Sequence, residues 1–261
     1  MGDKPVVLVT RPEGQASALC DQLLKLGFEP RSQPMLELVS LENLSVGAAQ
    51  CVAQLDDYDH IIFISGNAVR FGMDWIRPAW PKLPLGPNWF AIGKATANQL
   101  QQYGVSAADG GPQMTSESLL AHPLLQTVEG HRVLIVKGEG GRESLRTELV
   151  ERGAQVEDLS CYRRCSPLMA AGELGRKLAL WQPQLLLISS GEALGNMLAL
   201  LSPQETTKLA SLPLIVPSSR VAQIATNRGF TNVHSAANAS DAAMLQVAQG
   251  WRQNNYLGTG D

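Results

Sequence analysis

Residues 7 to 30 read VLVTRPEGQASALCDQLLKLGFEP, and residues 133 to 156 read VLIVKGEGGRESLRTELVERGAQV. Offset by 126 positions (Val7 to Val133), the two superpose without a gap. Identities fall at Val7/Val133, Leu8/Leu134, Glu13/Glu139, Gly14/Gly140, Leu19/Leu145, Leu23/Leu149 and Gly27/Gly153. Each stretch is an apolar run, a loop of small and polar residues, then apolar positions at helical spacing. In the first, Ala16, Leu19, Leu23 and Leu26 mark one helix face. Gly27 and Gly153 follow the helices, as Gly104 and Gly229 follow two others, where a left-handed C-terminal residue is favoured. A strand–loop–helix unit must bury its apolar faces against other such units, so the chain is expected to build βα layers in two places.

The echo extends further. IIFISGNAV (61–69) matches LLLISSGEAL (185–194), and WFAIGKATANQL resembles PLIVPSSRVAQI. Strand-like runs recur at 5–10, 60–65, 89–93, 132–137, 185–189 and 213–217, apolar throughout rather than alternating. Such strands suit a parallel sheet covered on both faces. Helix patterns follow at Gln15–Leu26, Asn67–Ile76, Ala95–Tyr103, Arg142–Arg152, Ala193–Leu201 and Ser219–Asn227. Two further helices are expected in MTSESLLAHPLLQ (114–126), starting at Thr115-Ser116-Glu117, and in NASDAAMLQVAQGWRQ (238–253), starting at Ser240-Asp241. The tail NNYLGTGD is expected to fray.

At 261 residues the chain exceeds the usual single-domain size of about 100–200 residues, so two domains are expected. FEPRSQPMLELVSLEN (28–43) and VEDLSCYRRCSP (156–167) are extended and stand at corresponding points after the repeated helices. Paired as a two-stranded β connector, they would carry the chain out of one domain and back. The expected fold is α/β: two similar flavodoxin/Rossmann-like domains with parallel sheets, the second inserted into the first. The first would comprise residues 1–37 and 163–261, and the inserted one residues 38–162.

Composition excludes several function classes. A net charge of −3 argues against a nucleic-acid or anionic-membrane role, though not against an anionic small molecule. No apolar run reaches the roughly 18–20 residues of a membrane span, and MGDKPVVLVT is too short for a signal-peptide core. Four cysteines (Cys20, Cys51, Cys161, Cys165) form no CxxC pair. Cys161-x3-Cys165 alone could hint at a metal or disulfide; reduced thiols are the expected state. The expectation is a cytoplasmic, metal-free protein, monomeric by default.

Familiar catalytic signatures are missing. GEGGRE (138–143) lacks the third glycine of a dinucleotide loop, and GKAT (93–96) lacks the upstream glycine of a P-loop. ISSG makes no nucleophile elbow, and the four histidines lie outside the strand-to-helix loops. What the strand ends do carry is Thr10-Arg11, Ser65-Gly66-Asn67, Gly93-Lys94-Ala95-Thr96, Lys137-Gly138, Ser189-Ser190-Gly191 and Ser218-Ser219-Arg220. In open parallel sheets, ligands bind outside these carboxyl ends. Helix N-termini there offer free amides and partial positive charge to anions. Taken singly, each loop also reads as an ordinary N-cap. Six loops containing Arg11, Lys94, Lys137 and Arg220 together point to anion binding. With no Asp, Glu or His among them, the site is weak at general acid–base work.

These residues resemble one family, the uroporphyrinogen-III synthases of bacterial, HemD-like type. The likeness rests on VLVTRP (7–12), FISGNAV (63–69), AIGKATA (91–97), the Lys137-Gly138 loop, the tyrosine in LSCYRR (159–164), ISSGEAL (188–194) and IVPSS (215–219). It covers essentially the whole chain. The resemblance implies two α/β domains joined by a two-stranded ladder, a cleft between them, and no metal or organic cofactor. It implies a cyclising lyase of porphyrin biosynthesis that closes hydroxymethylbilane to uroporphyrinogen III with ring D inverted, through an azafulvene and a spiro intermediate. A transient hand-over from hydroxymethylbilane synthase is also implied. Carried over residue by residue, the family's functional tyrosine falls on Tyr162, assisting departure of the hydroxyl, and a threonine falls on Thr96. A third family position falls on Ser218, Ser219 or Arg220, depending on the alignment, so Ser218 and Ser219 are taken as binding candidates. Arg11, Ser65, Gly66, Asn67, Gly93, Lys94, Lys137, Gly138, Ser189, Ser190 and Gly191 are implied contacts to substrate carboxylates. The rivals are a non-catalytic two-lobed binder of a small anionic metabolite, and a glycosyltransferase-like enzyme, for which no acidic or His-bearing sugar site is found.

Overall fold

A computed structural model describes residues 4–111, 115–140 and 143–257, the side chains of residues 256 and 257 excepted. Met114, Arg142 and the tail beyond residue 257, on all of which expectations fell, lie outside the described residues. Eleven strands are described: β1 (Val6–Val9), β2 (Glu29–Ser32), β3 (Glu37–Ser40), β4 (His60–Phe63), β5 (Asn88–Ala91), β6 (Ala108–Asp109), β7 (Arg132–Gly138), β8 (Gln155–Cys165), β9 (Leu185–Leu187), β10 (Leu214–Val216) and β11 (Val233–Ser235). They form a five-stranded sheet in the order β11-β10-β9-β1-β2 and a six-stranded sheet in the order β3-β8-β7-β4-β5-β6. Contacts divide the chain into two compact units, Met1–Glu37 with Cys165–Asp261, and Leu38–Arg164. The chain crosses from one to the other within β3 and returns within β8, and these strands are neighbours in the second sheet.

The repeat has a topological meaning. β1 pairs with β2 from Val6↔Glu29, and β7 pairs with β8 from Arg132↔Gln155, so both members of the pair move by the same 126 positions. Local bonds repeat too. Phe28 N donates to Leu23 O as Ala154 N donates to Leu149 O, each at 3.0 Å. Gly27 and Gly153 both adopt left-handed backbone, φ 81° and 86°. Read outward from β2, the first sheet runs β2-β1-β9-β10-β11. Read outward from β8, the second runs β8-β7-β4-β5-β6. The order of equivalent strands is the same, but the chain enters the second unit at the equivalent of β9. Each unit is therefore a circular rearrangement of the other.

Helices at Ser17–Lys25, Asp241–Arg252, Glu173–Trp181, Gly191–Ala199, Pro203–Ala210 and Ser219–Asn227 belong to the first unit, those at Val46–Ala53, Gly66–Ala79, Lys94–Gln101 and Ser144–Glu151 to the second. β1, β4, β7, β9 and β10 bury apolar side chains on both faces, and each unit has two clusters of buried side chains. One gathers Val7, Val9, Leu19, Leu23 and Phe28 against Leu245, Ala248 and Trp251, so the two ends of the chain complete one core.

Most elements are a residue or two shorter or shifted against expectation, and three departures have a local cause. The helix after β4 continues past Ile76 through Pro78 to Ala79. Pro78 forfeits one backbone donor, but Trp80 N bonds Ile76 O at 2.8 Å and its indole Nε1 donates to Val52 O at 2.7 Å, which holds the last turn. The segment after Thr115 breaks into Ser116–Leu120 and Pro123–Gln126, because Pro123 cannot continue a helix from His122. Of the stretch expected to fray, only residues 254–257 are described, and they lie in a π-helical turn over Gln253–Leu257, where Asn255 Nδ2 donates to the Trp251 carbonyl at 2.7 Å.

Candidate functional site

In the first unit the strand ends are stitched by their own hydroxyls. Thr10, fully buried, donates from Oγ1 to Leu187 O and accepts from Ser189 N, both at 3.1 Å. Ser189 Oγ bonds back to Thr10 O at 3.4 Å. Ser190 caps the helix at Gly191, its oxygen accepting from Ala193 N at 3.0 Å. Ser218 caps the helix that begins at Ser219, accepting from Val221 N at 3.4 Å; Ser219 and Arg220 are exposed. Gly191 packs closely under Ile224 of that helix. Arg11 is not a free cation: its guanidinium donates to Ala239 O at 2.6 Å and pairs with Asp241 Oδ1 at 2.7 Å. No local pattern in the sequence links Arg11 to Asp241.

The second unit repeats this rim. Ser65 caps the helix from Gly66, accepting from Ala68 N at 3.0 Å, with backbone φ −168° against −164° at Ser190. Gly66 leaves room for Gln99, whose carboxamide would overlap any β-carbon there. Asn67 follows in the first helical turn. Gly93 stands where Ser218 stands in the first unit, with φ −170° against −169°. It brings no side-chain oxygen, so the helix Lys94–Gln101 starts without a side-chain cap. No cap side chain competes for the Lys94 and Ala95 amides, which suits an external anion, while Thr96 N donates to Gly93 O at 3.0 Å. Lys94 is exposed there, and Thr96 is buried on the inner face of the first turn.

Lys137 and Gly138 end β7. Lys137 is 5% exposed, and its Nζ lies 3.2 Å from Glu143 Oε1 and 3.5 Å from Asp158 Oδ2. Arg146 reaches the other oxygen of Asp158 at 3.2 Å. The rim that reads as poor in carboxylates thus receives them from elsewhere: Asp241 at Arg11, Glu143 and Asp158 at Lys137. Tyr162 lies across Gly138, 5% exposed, with its ring stacked on Phe71 at a centroid distance of 5.1 Å and 24° between planes.

A cleft of about 810 Å³ opens beside the loop after β1 in the first unit. Glu13, Glu29, Glu37 and Glu173 line it, with Lys177 opposing them. Its charge is the wrong sign for a polycarboxylate. Among the described residues, no three His, Cys, Asp or Glu side chains are grouped to hold a metal ion, and no helix is long and apolar enough to cross a membrane. The four cysteines are free thiols.

The family model described as "HEM4: Uroporphyrinogen-III synthase HemD" matches residues 17–246. The chain belongs to the uroporphyrinogen-III synthase family. It is 34% identical over 248 residues to the synthase of Salmonella typhimurium, covering 93% of this chain and 99% of that one. Against the Escherichia coli synthase it is 32% identical over 246 residues, with the same shares. Among solved structures it resembles the synthase of Helicobacter pylori, with a TM-score of 0.62, 15% identity, and 96% and 100% of the two chains covered. It also resembles a mutant synthase of Thermus thermophilus, with a TM-score of 0.60, 18% identity, and 97% and 100% covered. At such identities the structural likeness concerns the fold, and it agrees with the two-unit α/β architecture described above.

Sequence reading missed a histidine cluster at the opposite, amino end of the second sheet. His60, buried at the start of β4, has Nε2 3.0 Å from His131 Nδ1, and Phe90 stands edge-on between the rings of His60 and His122. Burial, and then the neighbouring His131, lower the His60 pKa, with Asp59 opposing and His122 adding to the effect. The unfolded chain takes up a proton near pH 6.5 that native His60 resists, so stability falls as pH drops through that value. His60→Gln should lose less stability than the parent between pH 7 and pH 5 in urea titrations. Equal losses would remove His60 as a source of the acid limb.

Proposed function

We propose that this chain catalyses the cyclisation of hydroxymethylbilane to uroporphyrinogen III, in the manner of the synthases it resembles over nearly their whole length. That full-length likeness carries the reading. The substrate's many carboxylates call for amides, hydroxyls and a few cations rather than acids and bases. The amides at the start of Lys94–Gln101, left without a side-chain cap, together with exposed Lys94 suit that role in the second unit. Ser190 and Ser218 present the equivalent helix starts in the first. Arg11 and Lys137, each already paired with carboxylates, serve better as fixtures of the rim than as freely reaching ligands.

In the proposed reaction, the Tyr162 hydroxyl hydrogen-bonds to the hydroxymethyl oxygen on ring A, the terminal ring opposite ring D, and helps it depart as water, the ring-A pyrrole giving up its N–H proton. The azafulvene so formed is attacked through the substituted carbon of ring D, and the spiro intermediate fragments and recloses with that ring inverted. Thr96, buried at the first turn of its helix, contacts a substrate carboxylate or the departing water. The protein's task is to hold one conformer, since the ligand supplies its own electrophile and nucleophile. The reaction as drawn needs no metal or organic cofactor, and a cytoplasmic monomer would suffice.

The test is the rate at which freshly prepared hydroxymethylbilane disappears. It should rise in proportion to protein and be unchanged by a chelator. Saturable binding without accelerated loss of substrate would favour a non-catalytic binder instead.

A further inference from the structure

We infer that Gly138 and Phe71 are positioning residues for Tyr162, which together hold its phenol ring in one pose. The inference rests on the reading of Tyr162 as the group that acts on substrate. It starts from a break in the ladder between β7 and β8. Lys137 pairs with Ser160, but Gly138 pairs with Tyr162, so Cys161 is an extra residue on β8. Successive side chains of a regular strand point to opposite faces. Here Leu159, Cys161 and Tyr162 all enter the same core cluster, with Val136 and Phe71. Leu159 and Cys161 share a face by ordinary alternation; Tyr162 joins them because the bulge re-aims it. The Cys161 thiol, its pKa pushed up to about 12 by burial, stays protonated and donates to the Lys137 carbonyl at 3.2 Å across the bulge.

Gly138 supplies the space. A β-carbon there would lie 2.6 Å from Tyr162 Cζ, 2.7 Å from Cε2 and 3.0 Å from Cε1. Carbon atoms in contact normally sit about 3.5–4.0 Å apart. The Gly138 backbone is not left-handed, so conformation does not demand a glycine here. Clearance for the ring does. The nearest atom is the hydroxyl-bearing carbon, so a methyl group would displace the reactive end of the side chain first. The ring has little room to yield, since Phe71 stacks on it and is itself held by the Arg70 guanidinium, 4.9 Å from its centroid. Relief of the clash needs a shift of about 1 Å, and a misplacement of that size can cost about 100-fold in rate.

Gly138→Ala, Phe71→Leu and Tyr162→Phe, singly and with Gly138→Ala added to Tyr162→Phe, separate the possibilities. Turnover of hydroxymethylbilane, KM and thermal unfolding would be measured for each. Gly138→Ala is expected to lower kcat about 10–100-fold with KM little changed, and to cost nothing further once the hydroxyl is gone. Phe71→Leu should lower kcat in the same sense, and it keeps the test open if Gly138→Ala fails to fold. An impaired Tyr162→Phe beside near-parental Gly138→Ala and Phe71→Leu would overturn the positioning role and leave that of Tyr162 intact. Equal losses from Gly138→Ala in both backgrounds would overturn it as well. Parental turnover in Tyr162→Phe would instead remove the reading on which the inference depends.

Discussion

Tyr162→Phe is expected to lower kcat by about 100-fold or more while the fold survives, because a positioned proton donor contributes about 10²–10⁴-fold. The substitution removes one oxygen and leaves the ring stacked on Phe71 above Gly138. Core volume and the bulge between Lys137 and Gly138 are preserved, so thermal unfolding should move little. A loss confined to kcat, with KM close to the parental value, identifies an interaction made in the transition state rather than uniform binding. Parental turnover would reduce Tyr162 to a packed aromatic. Loss of folding would mean that the hydroxyl serves the core.

Phe28→Ala should be the most damaging of the simple core truncations in the first unit. Phe28 is fully buried just after Gly27, and its ring stacks on Trp251 at 6.3 Å while the Arg252 guanidinium lies 6.0 Å from its centroid. Truncation of a buried phenylalanine costs about 3–5 kcal/mol. Here it also removes the seat of the C-terminal helix, which reaches this core from the far end of the chain. Urea unfolding followed by tryptophan emission should show that loss. A cost below about 1 kcal/mol would contradict the packing of Asp241–Arg252 onto the opening βα unit.

What could be read from the residues was whatever repeats locally. The strand–loop–helix period, the serine caps at Ser65, Ser190 and Ser218 and the left-handed glycines at 27, 104, 153 and 229 are written within a few residues of where they act. The 126-residue echo even anticipates the shared register of β1–β2 and β7–β8. Long-range chemistry was not legible. Nothing near Arg11 announces Asp241, and Lys137 reads as an available cation until β8 brings Asp158 alongside it. The bulge escaped for a related reason: alternation in LSCYRR would put Cys161 and Tyr162 on opposite faces, and only the pairing partner shows the extra residue. The histidine cluster is assembled from three separate segments by the sheet, so no spacing could reveal it.

The most direct test of the central claim is the isomer of the product. Freshly prepared hydroxymethylbilane closes spontaneously to the unflipped type I ring, so the protein must divert it. Incubated with this chain, then oxidised and resolved by chromatography, the product should be predominantly the type III isomer, its share rising with protein concentration. Type I alone, at the rate seen without protein, would contradict the account.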